Sequence, residues 1–209
     1  SPSHRSSTPR QGHNPPLNIT NTVVLGSIAF NPIFWNIVAR AEYNTHFLTK
    51  LAGGAKTGCY LLAITIFSLG IFRDYLYHQA LEQQPTSILL SVTYVDIVKP
   101  LAIVLFAVGN VLVLTSMYAL GVTGTYLGDY FGILMNERVT GFPFNVSNNP
   151  MYHGSTLCFL ASALWYAKPA GLLITAFVSL MYSIALKFEE PFTGEIYAKR
   201  DRELAAKQK

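Results

Sequence analysis

Two apolar runs, residues 151–167 and 169–186, follow one another with a single charge, Lys168, between them. As helices each would be roughly 25 Å long at about 1.5 Å per residue, close to the hydrocarbon thickness of a bilayer. Lys168-Pro169 suits a tight turn, because proline cannot extend the first helix but can open the second. A hairpin of this kind returns the chain to the membrane face from which it started. It brings Asn149-Pro150-Met151-Tyr152-His153-Gly154 to the level of Glu189-Glu190. Two readings of that polar mouth stay open. In one, Asn-Pro is an ordinary helix start and Glu-Glu a solvated helix end. In the other the carboxylates have a use, since the C-terminal end of a helix disfavours negative charge and Lys187 offsets only part of the conflict.

The rest of the chain is equally apolar. Hydrophobic residues make up 51% of it and charged residues 12%, against about 25% charged in soluble domains. An all-α integral membrane protein follows, with four to five membrane helices including the C-terminal hairpin. The formal charge of +4 comes without basic residues interleaved with aromatics, so no nucleic-acid partner is expected. Cys59 and Cys158 fall inside apolar runs and read as small hydrophobes. The histidines lack metal-ligand spacing, and no metal is expected.

Along the chain, residues 1–16 are polar, rich in Ser and Pro, and expected to be disordered without signal-peptide architecture. A membrane-embedded domain over residues 17–191 follows, then a polar tail, 192–209. Residues 17–39 are uncharged but interrupted by Asn31-Pro32. A re-entrant or interfacial helix and a full span both remain open there, ending at water with Arg40-Ala41-Glu42. Residues 57–72 form a short span between Lys56 and Arg73. Residues 73–98 read as loop with some amphipathic helix. Residues 100–120 are the strongest span, with Pro100 in its first turn. Gly124, Gly128 and Gly132 would share one face of a helix, or belong to a glycine-rich loop. The tail holds five basic residues, which suits a surface helix, a solvated end beyond Arg202, and a cytosolic C-terminus. Residues 149–154 would then be cytosolic too.

Several motifs resemble the phosphatidylethanolamine N-methyltransferases. They are Gly124-Thr125-Tyr126-Leu127-Gly128-Asp129-Tyr130-Phe131-Gly132-Ile133-Leu134, Phe142-Pro143-Phe144-Asn145, Asn149 to Gly154 with Ser155-Thr156, and Glu189-Glu190-Pro191-Phe192-Thr193. Upstream, Asn31-Pro32 and Trp35-Asn36-Ile37-Val38-Ala39-Arg40 are similar to that family's N-terminal segment. Isoprenylcysteine carboxyl methyltransferases share the Asn-Pro-x-Tyr-x-Gly and Glu-Glu core more distantly. The resemblance implies S-adenosylmethionine as cofactor and a phospholipid of the bilayer as substrate, namely phosphatidylethanolamine or its mono- and dimethylated forms on the way to phosphatidylcholine. It implies the endoplasmic reticulum membrane, with a mitochondrial membrane as second location, and leaves the oligomeric state open.

The resemblance also implies that Glu189 and Glu190 bind cofactor, with Tyr152 beside them. A second cofactor element is implied at Ala107-Val108-Gly109, where alanine replaces the first glycine of a Gly-x-Gly. Methyl transfer to an amine requires alignment, a neutral nitrogen and exclusion of water. A proton acceptor would help, and Glu189 and Glu190 are the candidates with His153 behind them. Tyr126, Tyr130 and Phe131 offer aromatic faces to a methylammonium, or form an interfacial belt. Arg138 is a candidate for the lipid phosphate and Asp129 for the amine. A prenylcysteine methyltransferase and a non-enzymatic membrane scaffold are the competing readings.

Overall fold

The computed structural model describes residues 19–87 and 94–208; the expected disorder of residues 1–16 lies outside them. Helix α1 is Ile19–Thr45, α2 the short Phe47–Ala52, and α3 Ala55–Glu82. A π turn, Tyr94–Val98, leads into α4, Lys99–Thr125, and a 3-10 turn, Gly128–Phe131, follows. Helices α5, Pro150–Trp165, and α6, Pro169–Lys207, complete the order. No strand occurs among the described residues. Four helical stretches are long and apolar enough to cross a membrane, namely α1, α3, α4 with its flanking turns, and α6. Helix α5 has 16 residues, roughly 24 Å at the usual rise.

In a bilayer, helices associate through close packing and polar contacts, because lipid tails are as apolar as leucine. That is how α4 meets α5. A Cβ on Gly109 would lie 2.7 Å from the Gly154 carbonyl oxygen, and one on Gly154 only 2.6 Å from that of Gly109. The α5/α6 turn forms at the expected place. Lys168 precedes the helix, Pro169 opens it, and the Lys168 amide donates to the Ala163 carbonyl at 2.9 Å. Lys168 Nζ also reaches the Gln84 carbonyl at 2.6 Å, tying this turn to the end of α3. The main core lies between α1, α3, α5 and α6 and includes Ile28, Tyr77, Phe159 and Val178. A second core joins Cys59, Leu62, Tyr130, Phe131 and Ile196.

Five local readings are decided or changed. Pro32 does not break α1, which runs on through Arg40 to Thr45. Glu42, expected at water, is fully buried. Its carboxylate accepts the Leu48 amide at 2.7 Å and the Thr49 hydroxyl, capping the start of α2. Helix α3 does not end at Phe72 but continues to Glu82, because Arg73 turns inward to partners on α6. Pro191 does not end α6 either. Proline removes one ladder bond, yet the chain stays helical, and Arg40 Nη2 donates to the neighbouring Phe188 carbonyl at 2.7 Å. Glu189 and Glu190 therefore sit within a helix, and the helix-end dipole conflict does not arise. Finally, Gly124, Gly128 and Gly132 share no helical face. Gly124 is in α4, Gly128 in the 3-10 turn, and Gly132 has φ 80° in a left-handed cap.

Candidate active site

Glu189 is the most heavily bonded carboxylate between distant helices. Trp35 Nε1 donates to Oε1 at 2.6 Å, and Asn36 Nδ2 to the same oxygen at 3.1 Å. The Tyr152 hydroxyl donates to Oε2 at 2.7 Å. Helical periodicity explains the meeting. Trp35 and Asn36 follow the Asn31-Pro32 turn of α1, while Tyr152 stands in the first turn of α5, opened by Pro150. The Tyr152 ring is stacked between Trp35 and Tyr182, with centroids at 6.4 and 4.6 Å. Neutral donors fix this carboxylate from two helices, and among the described residues no Lys or Arg side chain hydrogen-bonds to it.

Glu189 borders a cavity of about 470 Å³, walled by α1, α3, α4, the segment after α4, α5 and α6. This lies within the range of about 300–1,000 Å³ usual for small-molecule sites. Tyr152, Tyr126 and Asp129 border it as well. So do Asn31, Ser116 and Thr125, whose side-chain oxygens are buried without a partner among the described residues. Buried polar atoms are rarely left so. Three of them around one cavity suit a polar guest.

Of the residues singled out from sequence, Glu189, Tyr152, Tyr126 and Asp129 come together here. Glu190 is exposed and its nearest polar partner is Asn149 Nδ2, at 3.3 Å. His153 faces outward, its Nδ1 within 2.6 Å of Ser147 Oγ. Tyr130 and Phe131 are buried in the second core, Tyr130 stacked on Phe192 with centroids at 5.1 Å. Arg138 is exposed beside a smaller pocket of about 150 Å³. Ala107 and Val108 are on the exposed side of α4, and Gly109 is packed against α5. None of these borders the larger cavity.

Trp35, Asn36, Asn31, Arg73 and Tyr182 belong to the site and were not singled out as site residues. Asn31 and Asn36 carried a signal, as amides inside an otherwise apolar run. Trp35 and Tyr182 carried none, since an aromatic in a span reads as packing.

The 3-10 turn that presents Asp129 depends on Gly128. A Cβ there would stand 2.5 Å from the Thr123 carbonyl oxygen, which is backbone and cannot swing aside. Gly128→Leu is expected to displace the turn and reduce activity at least tenfold, alongside a lower melting temperature. Wild-type turnover and melting would show that the turn tolerates a side chain.

The chain belongs to the phospholipid methyltransferase family, whose pattern matches residues 98–200. It is 66% identical over 173 residues to a phosphatidyl-N-methylethanolamine N-methyltransferase of Saccharomyces cerevisiae, covering 83% of this chain and 82% of that one. The enzyme of the same name from Emericella nidulans is also 66% identical, over 86% of each chain. The phosphatidylethanolamine N-methyltransferase of Homo sapiens is 44% identical over 90% of this chain and 94% of its own. No solved structure matches it. The protein is thus a membrane-embedded methyltransferase with several helices able to span the bilayer.

Proposed function

We propose that this protein transfers methyl groups from S-adenosylmethionine to the nitrogen of ethanolamine phospholipids, in particular the mono- and dimethylated forms, to make phosphatidylcholine. The observation that carries this is the cavity inside the helical bundle, with the Glu189 carboxylate fixed at its wall by three neutral donors. Its residues suit the cofactor. Buried oxygens of Asn31, Ser116 and Thr125 lack protein partners, and aromatic faces of Trp35, Tyr126 and Tyr152 border the same space. When bound, S-adenosylmethionine supplies a methyl group on a sulfonium cation.

The chain's own groups do the rest. An ionised carboxylate has about four acceptor sites; three are taken on Glu189, leaving capacity for a ribose hydroxyl or an ammonium. The lipid nitrogen must lose a proton before it can attack; of the three carboxylates bordering the cavity, Asp74 is paired with Arg73, and Glu189 and Asp129 are the candidates to accept it. Aromatic faces hold the methylammonium product by cation–π attraction. Walls contributed by five helices exclude water, which strengthens every electrostatic contact within.

We propose the endoplasmic reticulum membrane, as the family resemblance implies, with a mitochondrial membrane as second location; the basic residues at the C-terminal end favour a cytosolic C-terminus. The test is incubation of the purified protein with methyl-labelled cofactor and phosphatidylethanolamine, its monomethyl form or its dimethyl form. Label in the methylated lipids supports the assignment. Label only in a prenylated cysteine peptide, or in nothing, would overturn it.

A further inference from the structure

Arg73 stands within α3, about 27 Å from its start at Ala55 and about 14 Å from its end at Glu82. It follows directly on the uncharged run 57–72 of a helix long enough to cross a membrane, and ionisable residues so placed are seldom merely structural when they turn inward. Its side chain is only 11% exposed, and it lines the same cavity as Glu189. Nη1 donates to the Tyr182 hydroxyl at 2.8 Å, while Nε and Nη2 donate to Asp74 Oδ1 at 3.0 and 2.9 Å. The guanidinium also lies over the Phe159 ring at 5.1 Å. These contacts use three N–H groups of the five that arginine carries. A rigid, oriented fork with donors to spare borders a cavity that no other arginine or lysine among the described residues lines.

The cavity is also open sideways. Phe67 and Ile71 line it, yet they are 54% and 56% exposed on the surface of α3. A lipid head group can enter there from the bilayer. Tyr182 and Glu189 are seven residues apart on α6, roughly 10 Å along the axis. That interval accommodates an ethanolamine bridge and a reacting pair at about 3–3.5 Å.

We propose that Arg73, held in place by Tyr182 and Asp74, is the oxyanion subsite of the reaction chamber. The oxyanion is either the phosphodiester of the lipid or the carboxylate at the amino-acid end of the cofactor. Each presents a pair of oxygens sharing one negative charge, to which a guanidinium fork binds in bidentate fashion. The inference rests on the proposed function for the identity of its ligands, and its test reads binding separately from turnover.

The full-length protein in detergent is titrated with dihexanoyl phosphatidyl-N-methylethanolamine and, separately, with S-adenosylhomocysteine. Arg73→Gln is expected to weaken one of them about ten- to a hundredfold, the loss of one charge-assisted bond. Arg73→Lys should recover part of it. Weakened lipid binding with unchanged S-adenosylhomocysteine binding supports the phosphodiester; the reverse supports the carboxylate. Unchanged affinity for both would overturn the proposal. Should Arg73→Gln fail to fold, Tyr182→Phe keeps the ring stacked on Tyr152 and removes only the hydroxyl. A severalfold loss for the same ligand supports the subsite, and wild-type affinity for both overturns it. A wild-type protein that binds lipid through Arg73 but transfers no methyl group would sink the proposed function and leave the subsite standing.

Discussion

Glu189→Gln is expected to lower methyl transfer by ten- to a hundredfold while the protein stays folded. The new amide can place its oxygen where Oε1 now accepts Trp35 Nε1 and Asn36 Nδ2. Its NH₂ then faces the Tyr152 hydroxyl, which can turn and accept. The helices α1, α5 and α6 remain joined. What goes is the negative charge, and with it a charge-assisted bond to ligand of roughly 1.5–3 kcal/mol. The check is a melting temperature, an affinity for S-adenosylhomocysteine and a turnover number, measured together. Normal affinity with slow turnover, recovering as pH rises, would identify Glu189 as the proton acceptor. Weakened affinity would identify it as a cofactor ligand. Glu190→Gln is a sensitive contrast, because that side chain is exposed with one long contact to Asn149. It should stay within about twofold of wild type. Equal losses in both variants would refute the division between the two carboxylates.

Gly109→Ala should destabilise the protein strongly. The added methyl would sit 2.7 Å from the Gly154 carbonyl oxygen and 2.8 Å from Cys158 Sγ. The first is backbone, so α4 and α5 must part along their whole crossing. Overpacking of this kind costs about 1–3 kcal/mol. Gly154→Ala should behave alike, with its methyl 2.6 Å from the Gly109 carbonyl oxygen. Thermal melts in detergent give the size of the loss. Activity should fall in parallel with folded protein for both variants. A drop in cofactor affinity at an unchanged melting temperature would instead make Gly109 a cofactor contact, the role that family resemblance implies for Ala107-Val108-Gly109.

The hairpin was legible in the sequence because its signals are local. Pro169 can only open a helix at that point, and the uncharged runs on either side have membrane length. Glu189 was legible as a position, but the physical reason first attached to it fails. Pro191 reads as a helix stop, whereas the helix runs on to Lys207. Tertiary contacts override the local signal: Arg40 takes the Phe188 carbonyl and lies 4.5 Å from the Phe192 ring centre. Arg73 was read as the polar flank of a short span for a similar reason. Tyr182, 109 residues away, and the Phe159 ring give it a place inside. The Gly124, Gly128, Gly132 spacing fits a helix, yet left-handed Leu127 and Gly132 break it. No periodicity reports a backbone reversal of that sort.

The partners of Glu189 lie almost at opposite ends of the polypeptide, Trp35 being 154 residues upstream. A ribosome working at about 5–20 residues per second takes roughly 8–30 s to cover that interval. Throughout it, Trp35 and Asn36 are already made while the carboxylate they will hold has yet to be synthesised. On the role proposed for Glu189, the site is therefore completed late, when the final helix enters beside the first. A chain interrupted before residue 189 contains every earlier span and lacks the carboxylate to which Trp35, Asn36 and Tyr152 donate.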